Sequence, residues 1–253
     1  MDKLTAVFKN LGLARVRWIL YKEINSFFGS NLPPAVIGIV ALLCGMVSAL
    51  LSLSSGATYE AVTSLIFHLF YIIVIAAALC LSMSAFVGER RQGTMELLYT
   101  LPVTDLELVL GKYLMGVIFI SLLSLAMTLV YIMGIAEAPL YMVVSGVTGL
   151  ILVGLYAYGV GVFASSLTDS YLLSLLIGVM IVLVIDIGGF MAGLLPEPGR
   201  EILTHMHGLG QFVPFTRGRI PLKGSVFFIS LALFFLFLTV RVLESRRWRG
   251  NNS

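Results

Sequence analysis

The sequence runs to 253 residues, of which 59% are hydrophobic and only 11% charged, with a formal net charge of +3. A soluble globular domain carries about 25% charged residues. The chain therefore has too little polar surface for a water-covered exterior, which excludes an ordinary soluble protein and points to an all-α integral membrane protein with the lipid bilayer as its surroundings.

Residues 1–32 are too charged to span. Lys3, Lys9, Arg15, Arg17 and Lys22 lie among them, with no short apolar core ending at a small-residue cleavage site, so no removable signal is expected. Leu13, Val16, Leu20, Ile24 and Phe27 share one helical face, and Leu4, Val7, Leu11 and Trp18 form another. The pattern predicts an N-terminal helix lying on the membrane surface with its basic residues toward anionic headgroups; a merely solvated helix is the alternative. From Pro33-Pro34 onward the chain reads as one domain, residues 33–253.

About 20 apolar residues at 1.5 Å each cross a hydrocarbon core of about 30 Å. Six segments qualify: Pro34–Leu53, Leu65–Val87, Val109–Met133, Leu140–Ala164, Tyr171–Leu195 and Gly224–Leu243. Lys112 in the third and Arg241 in the sixth are expected to snorkel to the headgroups. Cys44 and Cys80 fall inside apolar runs without metal or redox spacing, and read as buried thiols.

With the N-terminus inside, twelve Lys and Arg residues collect on the inner face against four on the outer (Arg200, Arg217, Arg219, Lys223). That asymmetry predicts that both termini are cytoplasmic. Inner loops then follow the second span and run from Ser165 to Ser170, and the longest outer segment runs from Pro196 to Lys223.

The charged block Gly88–Lys112, "GERRQGTMELLYTLPVTDLELVLGK", falls on the inner face. Gly93 lets the chain turn, and Thr94–Leu101 can form a short helix with Leu97, Leu98 and Leu101 on one side. Leu101-Pro102 stops it, and Thr104 with Glu107 predicts a capping box that opens the third span. The block is either a self-capped loop or a docking element for a cytosolic partner.

Chemistry-bearing patterns are scarce. The single Gly-Lys pair, Gly111-Lys112, lacks the rest of a phosphate-binding loop, and neither HExxH nor GxSxG occurs, so no enzyme and no cofactor held by this chain are expected. Asp186 in the fifth span either lines a substrate path, carries a proton, or caps backbone groups where Gly188-Gly189 loosens the helix. His68 reads as an interfacial histidine. His205-Met206-His207 lacks a third placed ligand, so no metal site is expected. Gly146, Gly149, Gly154, Gly159 and Gly161, with Gly189 and Gly193, allow close helix packing or a sliding interface between subunits.

"ERRQGTMELLYTLPVTDLELVLGKYL" resembles the signature of type-2 ABC transporter permeases through Glu89, Arg90, Gly93, Thr94, Glu96, Leu98, Pro102, Val103, Gly111 and Lys112. "FTRGRI" before the last span and "LESRRW" after it are similar to the gliding-motility-associated permeases of the GldF kind. The resemblance implies a six-span permease of the bacterial cytoplasmic (inner) membrane, with short re-entrant helices within Pro196–Lys223. It makes Gly93–Thr100 a coupling helix seated on a cytosolic ABC ATPase, which would hold the ATP and Mg. The coupling set is then Glu89, Arg90, Arg91, Gly93, Thr94, Glu96, Leu97, Leu98, Pro102 and Asp105, with a lesser contact at Ser166, Thr168 and Asp169.

A second permease chain, identical or homologous, is implied as a partner, and an extracytoplasmic accessory protein is allowed; nucleic acid is not expected. Two readings follow: an exporter-like permease, or a non-transporting scaffold that passes force from a cytosolic ATPase to an extracytoplasmic partner. An ion channel ranks last, because the polar residues are isolated rather than striped along several spans.

Overall fold

The computed structural model describes residues 17–25, 29, 32–52, 59–94, 104–134, 140–191, 196 and 207–250. Among these the regular elements are all helices. In chain order they are α1 (17–25), α2 (Leu32–Ser52), α3 (Tyr59–Ser82), α4 (Ser84–Arg91), α5 (Asp105–Gly134), α6 (Leu140–Leu167), α7 (Tyr171–Met191), α8 (Gly208–Thr216) and α9 (Leu222–Gly250). A bilayer leaves backbone amides no water partner, so apolar chain of this kind satisfies them within each helix.

Among the described residues, four stretches are long and apolar enough to cross a membrane: Ala61–Arg91, Asp105–Ile132, Leu140–Leu167 and Leu222–Arg246. Shorter apolar helical stretches occupy Pro34–Leu43 and Tyr171–Asp186. The helices that contain them, α2 and α7, are 21 residues each, or about 31 Å at the α-helical rise.

α6 is the centre of the bundle. It packs against α3, α4, α5, α7, α8 and α9, whereas α2 lies outside against α3 and α5. The glycines of α6 explain how one helix accepts so many neighbours. Gly146 lies against the Phe67 ring, Gly149 against Phe212 and Phe215, Gly154 against Ile120, and Gly161 against Ser82. A Cβ at any of these would overlap the facing side chain, so each glycine is a slot cut for a named partner. These slots are filled from within the chain, which supports the packing reading of the α6 glycines. Gly193 lies outside the described residues.

Several expected boundaries move. The second span is longer than Leu65–Val87 and breaks at Met83 into α3 and α4. Ser82 Oγ donates to the Leu79 carbonyl (3.1 Å) and Ser84 Oγ to the Leu81 carbonyl (3.0 Å) at the break. Such back-bonding bends helices.

The third span opens at Asp105 rather than Val109. The capping box that starts it is formed: Thr104 N–H donates to Glu107 Oε2 (3.0 Å) and Glu107 N–H to Thr104 Oγ1 (3.3 Å). The Ser165–Ser170 loop contracts to residues 168–170, since α6 continues to Leu167. α9 runs past Leu243 to Gly250. Within the long segment before it, α8 sends fully buried Phe212 and Phe215 into the bundle.

Candidate functional site

The charged residues flanking α4 gather at one end of the bundle, where α1, α4, α5 and the α6–α7 connection meet. α4 carries the helix beyond Val87, so Gly88–Arg91 are helical, and Gly93 then turns the chain with φ +68°. That left-handed conformation is open to glycine at little steric cost. Thr94 N–H and Thr94 Oγ1 both donate to the Glu89 carbonyl (3.0 and 3.2 Å), which fixes the exit of the turn. Residues 95–103 lie outside the described residues, and with them Glu96, Leu97, Leu98 and Pro102. Asp105 stands in the first turn of α5, where an acidic group complements the helix dipole.

Lys112 corrects the sequence expectation most sharply. It does not snorkel: its side chain is 3% exposed and held between two carboxylates. Lys112 Nζ lies 3.0 Å from Glu23 Oε1 of α1 and 2.8 Å from Glu89 Oε1 of α4, and 5.5 Å from the centre of the Phe86 ring. The reason is local crowding: Ile19 of α1 sits over Gly111, close enough that a Cβ there would collide with it. α1 thus covers one side of the lysine and brings Glu23 with it.

Two carboxylates and one ammonium leave a formal charge of −1 at the centre, and Glu89 Oε2 is buried with no hydrogen-bond partner. A cavity of about 400 Å³ opens beside it, lined by Lys22, Glu23, Glu89, Lys112, Tyr158 and Tyr171 among others.

Arg90 joins the end of α4 to the α6–α7 connection, two segments distant in the sequence. Its guanidinium donates from Nη2 to the Ser166 carbonyl (2.6 Å), and from Nη1 to the Thr168 carbonyl (2.8 Å) and Asp169 Oδ1 (2.9 Å). Arg91 Nε donates to the Asp169 carbonyl (3.1 Å) and its guanidinium stacks 4.8 Å over the Tyr171 ring. Arg246 of α9 adds a bond to the Leu167 carbonyl (2.6 Å). Phe86 N–H donates to Ser165 Oγ (2.9 Å) below them. Ser166 and Thr168 are therefore buried, and of the second predicted contact only Asp169, 73% exposed, faces outward. The Arg90 hydrogen bond holds the Asp169 carboxyl below the usual carboxylate range, with Arg90 and Arg246 charge adding to it.

Asp186 lies far from this centre, in the other half of the bundle. Its Oδ1 accepts a hydrogen bond from the Tyr71 hydroxyl (2.8 Å) across α3 and α7, and Gly208 at the start of α8 packs against the same oxygen. The fully buried Tyr156 hydroxyl faces the same Tyr71–Asp186 pair. Asp186 thus ties three elements together through its side chain. His68 Nδ1 lies 2.6 Å from the Ser64 carbonyl, with its ring edge-on to Phe212. His205 lies outside the described residues, and among those described no three His, Cys, Asp or Glu side chains gather as metal ligands.

A profile of ABC-2 family transporter proteins matches residues 40–217. The chain belongs to the ABC-2 transporter family. No curated protein matches it in sequence. ABC-2 permeases are the membrane components of ABC transporters rather than the ATPase, and work with an ATP-binding subunit. As an ABC-2 protein with several membrane-crossing helices, the chain is a multi-pass membrane permease. The match runs from within α2 through α8 and so takes in Glu89, Arg90, Lys112 and Asp169. It leaves out α1, which supplies Glu23, and α9, which supplies Arg246. In the sequence Lys112 stands out as part of the Gly111-Lys112 pair, which lacks the rest of a phosphate loop but belongs to the permease-like signature.

Proposed function

We propose that the chain is the six-span permease subunit of an ATP-driven exporter in the bacterial inner membrane, with both termini cytoplasmic. α2 and α7 supply the two spans beyond the four longest stretches, each long enough at 21 residues. Gly93–Thr100 is the coupling segment for a separate cytosolic ATPase, which holds ATP and Mg. A second permease chain completes the path, and residues around Asp169 form a smaller contact with the same ATPase.

The observation that carries this reading is the double anchorage of the end of α4. Glu89 binds Lys112, and through it α1 and α5; Arg90 binds the α6–α7 connection. A push on the segment that leaves α4 at Gly93 is therefore delivered to several helices at once, not absorbed by one loop. Glu89 and Arg90 serve this as internal struts, while Glu96, Leu97 and Leu98 meet the ATPase. Lys112, locked between carboxylates, has no freedom to bind a phosphate.

The test replaces Glu96 and Leu98 with arginine. Co-purification of the ATPase and transport-linked ATP turnover should both fall. A folded double variant that keeps both rules out docking at Gly93–Thr100. The resemblance of "FTRGRI" and "LESRRW" to GldF-type permeases favours the scaffold as the second reading. ATP turnover that no candidate substrate stimulates, together with retention of an extracytoplasmic partner, would select it.

A further inference from the structure

Coupling leaves "FTRGRI", residues 215–220, without a role. These residues join α8 to α9 at the end of the bundle opposite Lys112, and their backbone is fixed. The N–H groups of Arg217 and Arg219 both donate to the Pro214 carbonyl (3.2 and 3.1 Å), and Gly218 N–H donates to the Phe215 carbonyl (3.3 Å). Gly218 has φ +78° and lies under the Tyr141 ring of α6, where a Cβ would overlap it. Ser145 Oγ donates to the Arg219 carbonyl (2.9 Å), and Thr216 Oγ1 lies 3.1 Å from Ser64 Oγ. Phe215 is fully buried and anchors the turn from below.

This turn sets two arginines on one pocket. Arg217 and Arg219 line a cavity of about 610 Å³ together with Ala61, Ser64, Tyr141 and Thr216. Among the described residues no carboxylate pairs with either guanidinium. Two planar donor forks on one pocket match the oxygens of a phosphate. Leu140, Ile220 and Leu222 beside the pocket are exposed, as is Tyr141. A free anion has no use for that apolar rim, whereas an amphiphile seated at the membrane surface covers it, with Tyr141 at headgroup level.

We propose that the Arg217–Arg219 pocket binds the phosphate of an anionic membrane amphiphile. The proposal requires this end of the bundle to lie at a membrane surface, on whichever side, and does not depend on ATPase docking.

The purified full chain in detergent is titrated with dihexanoyl-phosphatidylglycerol, dihexanoyl-phosphatidylcholine and inorganic phosphate, and bound species are counted by native mass spectrometry. The wild type should hold one phosphatidylglycerol that Arg217→Gln/Arg219→Gln binds at least about tenfold more weakly, the loss expected for charge-assisted bonds. Arg241→Gln, at the opposite end, should bind as the wild type does. Arg217→Lys/Arg219→Lys keeps the charge without the forks, and should fall between the two as a second, fold-preserving check. Phosphate binding as tight as the lipid would keep the site and assign it to free phosphate. Equal phosphatidylglycerol binding by wild type and the Gln pair, or phosphatidylcholine bound as tightly as phosphatidylglycerol, overturns the proposal.

Discussion

Lys112 shows how far one side chain can reorganise the reading of a helix. A lysine near the start of an apolar span has a cheap solution, extending its stem to the headgroups. Here α1 covers that route, and the ammonium is held by Glu23 and Glu89 instead. Removing one partner from a buried charge cluster is costly because the others stay buried without compensation. Lys112→Met should therefore destabilise the protein by roughly 3–5 kcal/mol, read as a lower thermal midpoint in detergent. Adding Glu23→Gln and Glu89→Gln should recover most of the loss.

The Arg90–Asp169 pair is the solvated counterpart. Its carboxyl value is lowered in the folded protein, so its contribution is present above the unfolded carboxylate value of about 3.9 and is lost as the pH falls through the lower folded value. Asp169 is largely exposed and screened, so Asp169→Asn should cost only about 0.2–1 kcal/mol near neutral pH. The difference between wild type and variant, followed by thermal unfolding against pH, should close only below pH of about 4.

Among the elements, what the sequence made legible was local. The Thr104–Glu107 capping box and the turn at Gly93 depend on residues within a few positions of each other, and both are present as expected. The break at Met83 was not legible, because it sits between helical segments whose serines look unremarkable until Gly161 of α6 is brought against Ser82. The lysine site was hidden for the same reason: Glu23 lies 89 positions from Lys112 along the chain. Gly161→Ala tests the slot directly. The added methyl overlaps Ser82, so a loss of about 1–3 kcal/mol is expected from overpacking. Ser82→Ala in the same chain should return part of it, measured as thermal midpoints of the single and double variants.

At the scale of the molecule, the two ends of the bundle carry different work, polar struts at the Lys112 end and the arginine turn at the other. Local opening is confined to cooperative units. Lys112→Met should accordingly speed amide hydrogen exchange in 17–25 and 84–91 while leaving 208–216 unchanged; equal acceleration at both ends would refute this separation. The central place of α6 also fixes an order of manufacture. α6 leaves the ribosome before α8 and α9, yet its Gly149 slot is filled by Phe212 and Phe215, and Ala232 of α9 lies against Gly159. Until those later residues are made, the notches at Gly149 and Gly159 lack their partners, while those at Gly146, Gly154 and Gly161 already face residues made before α6.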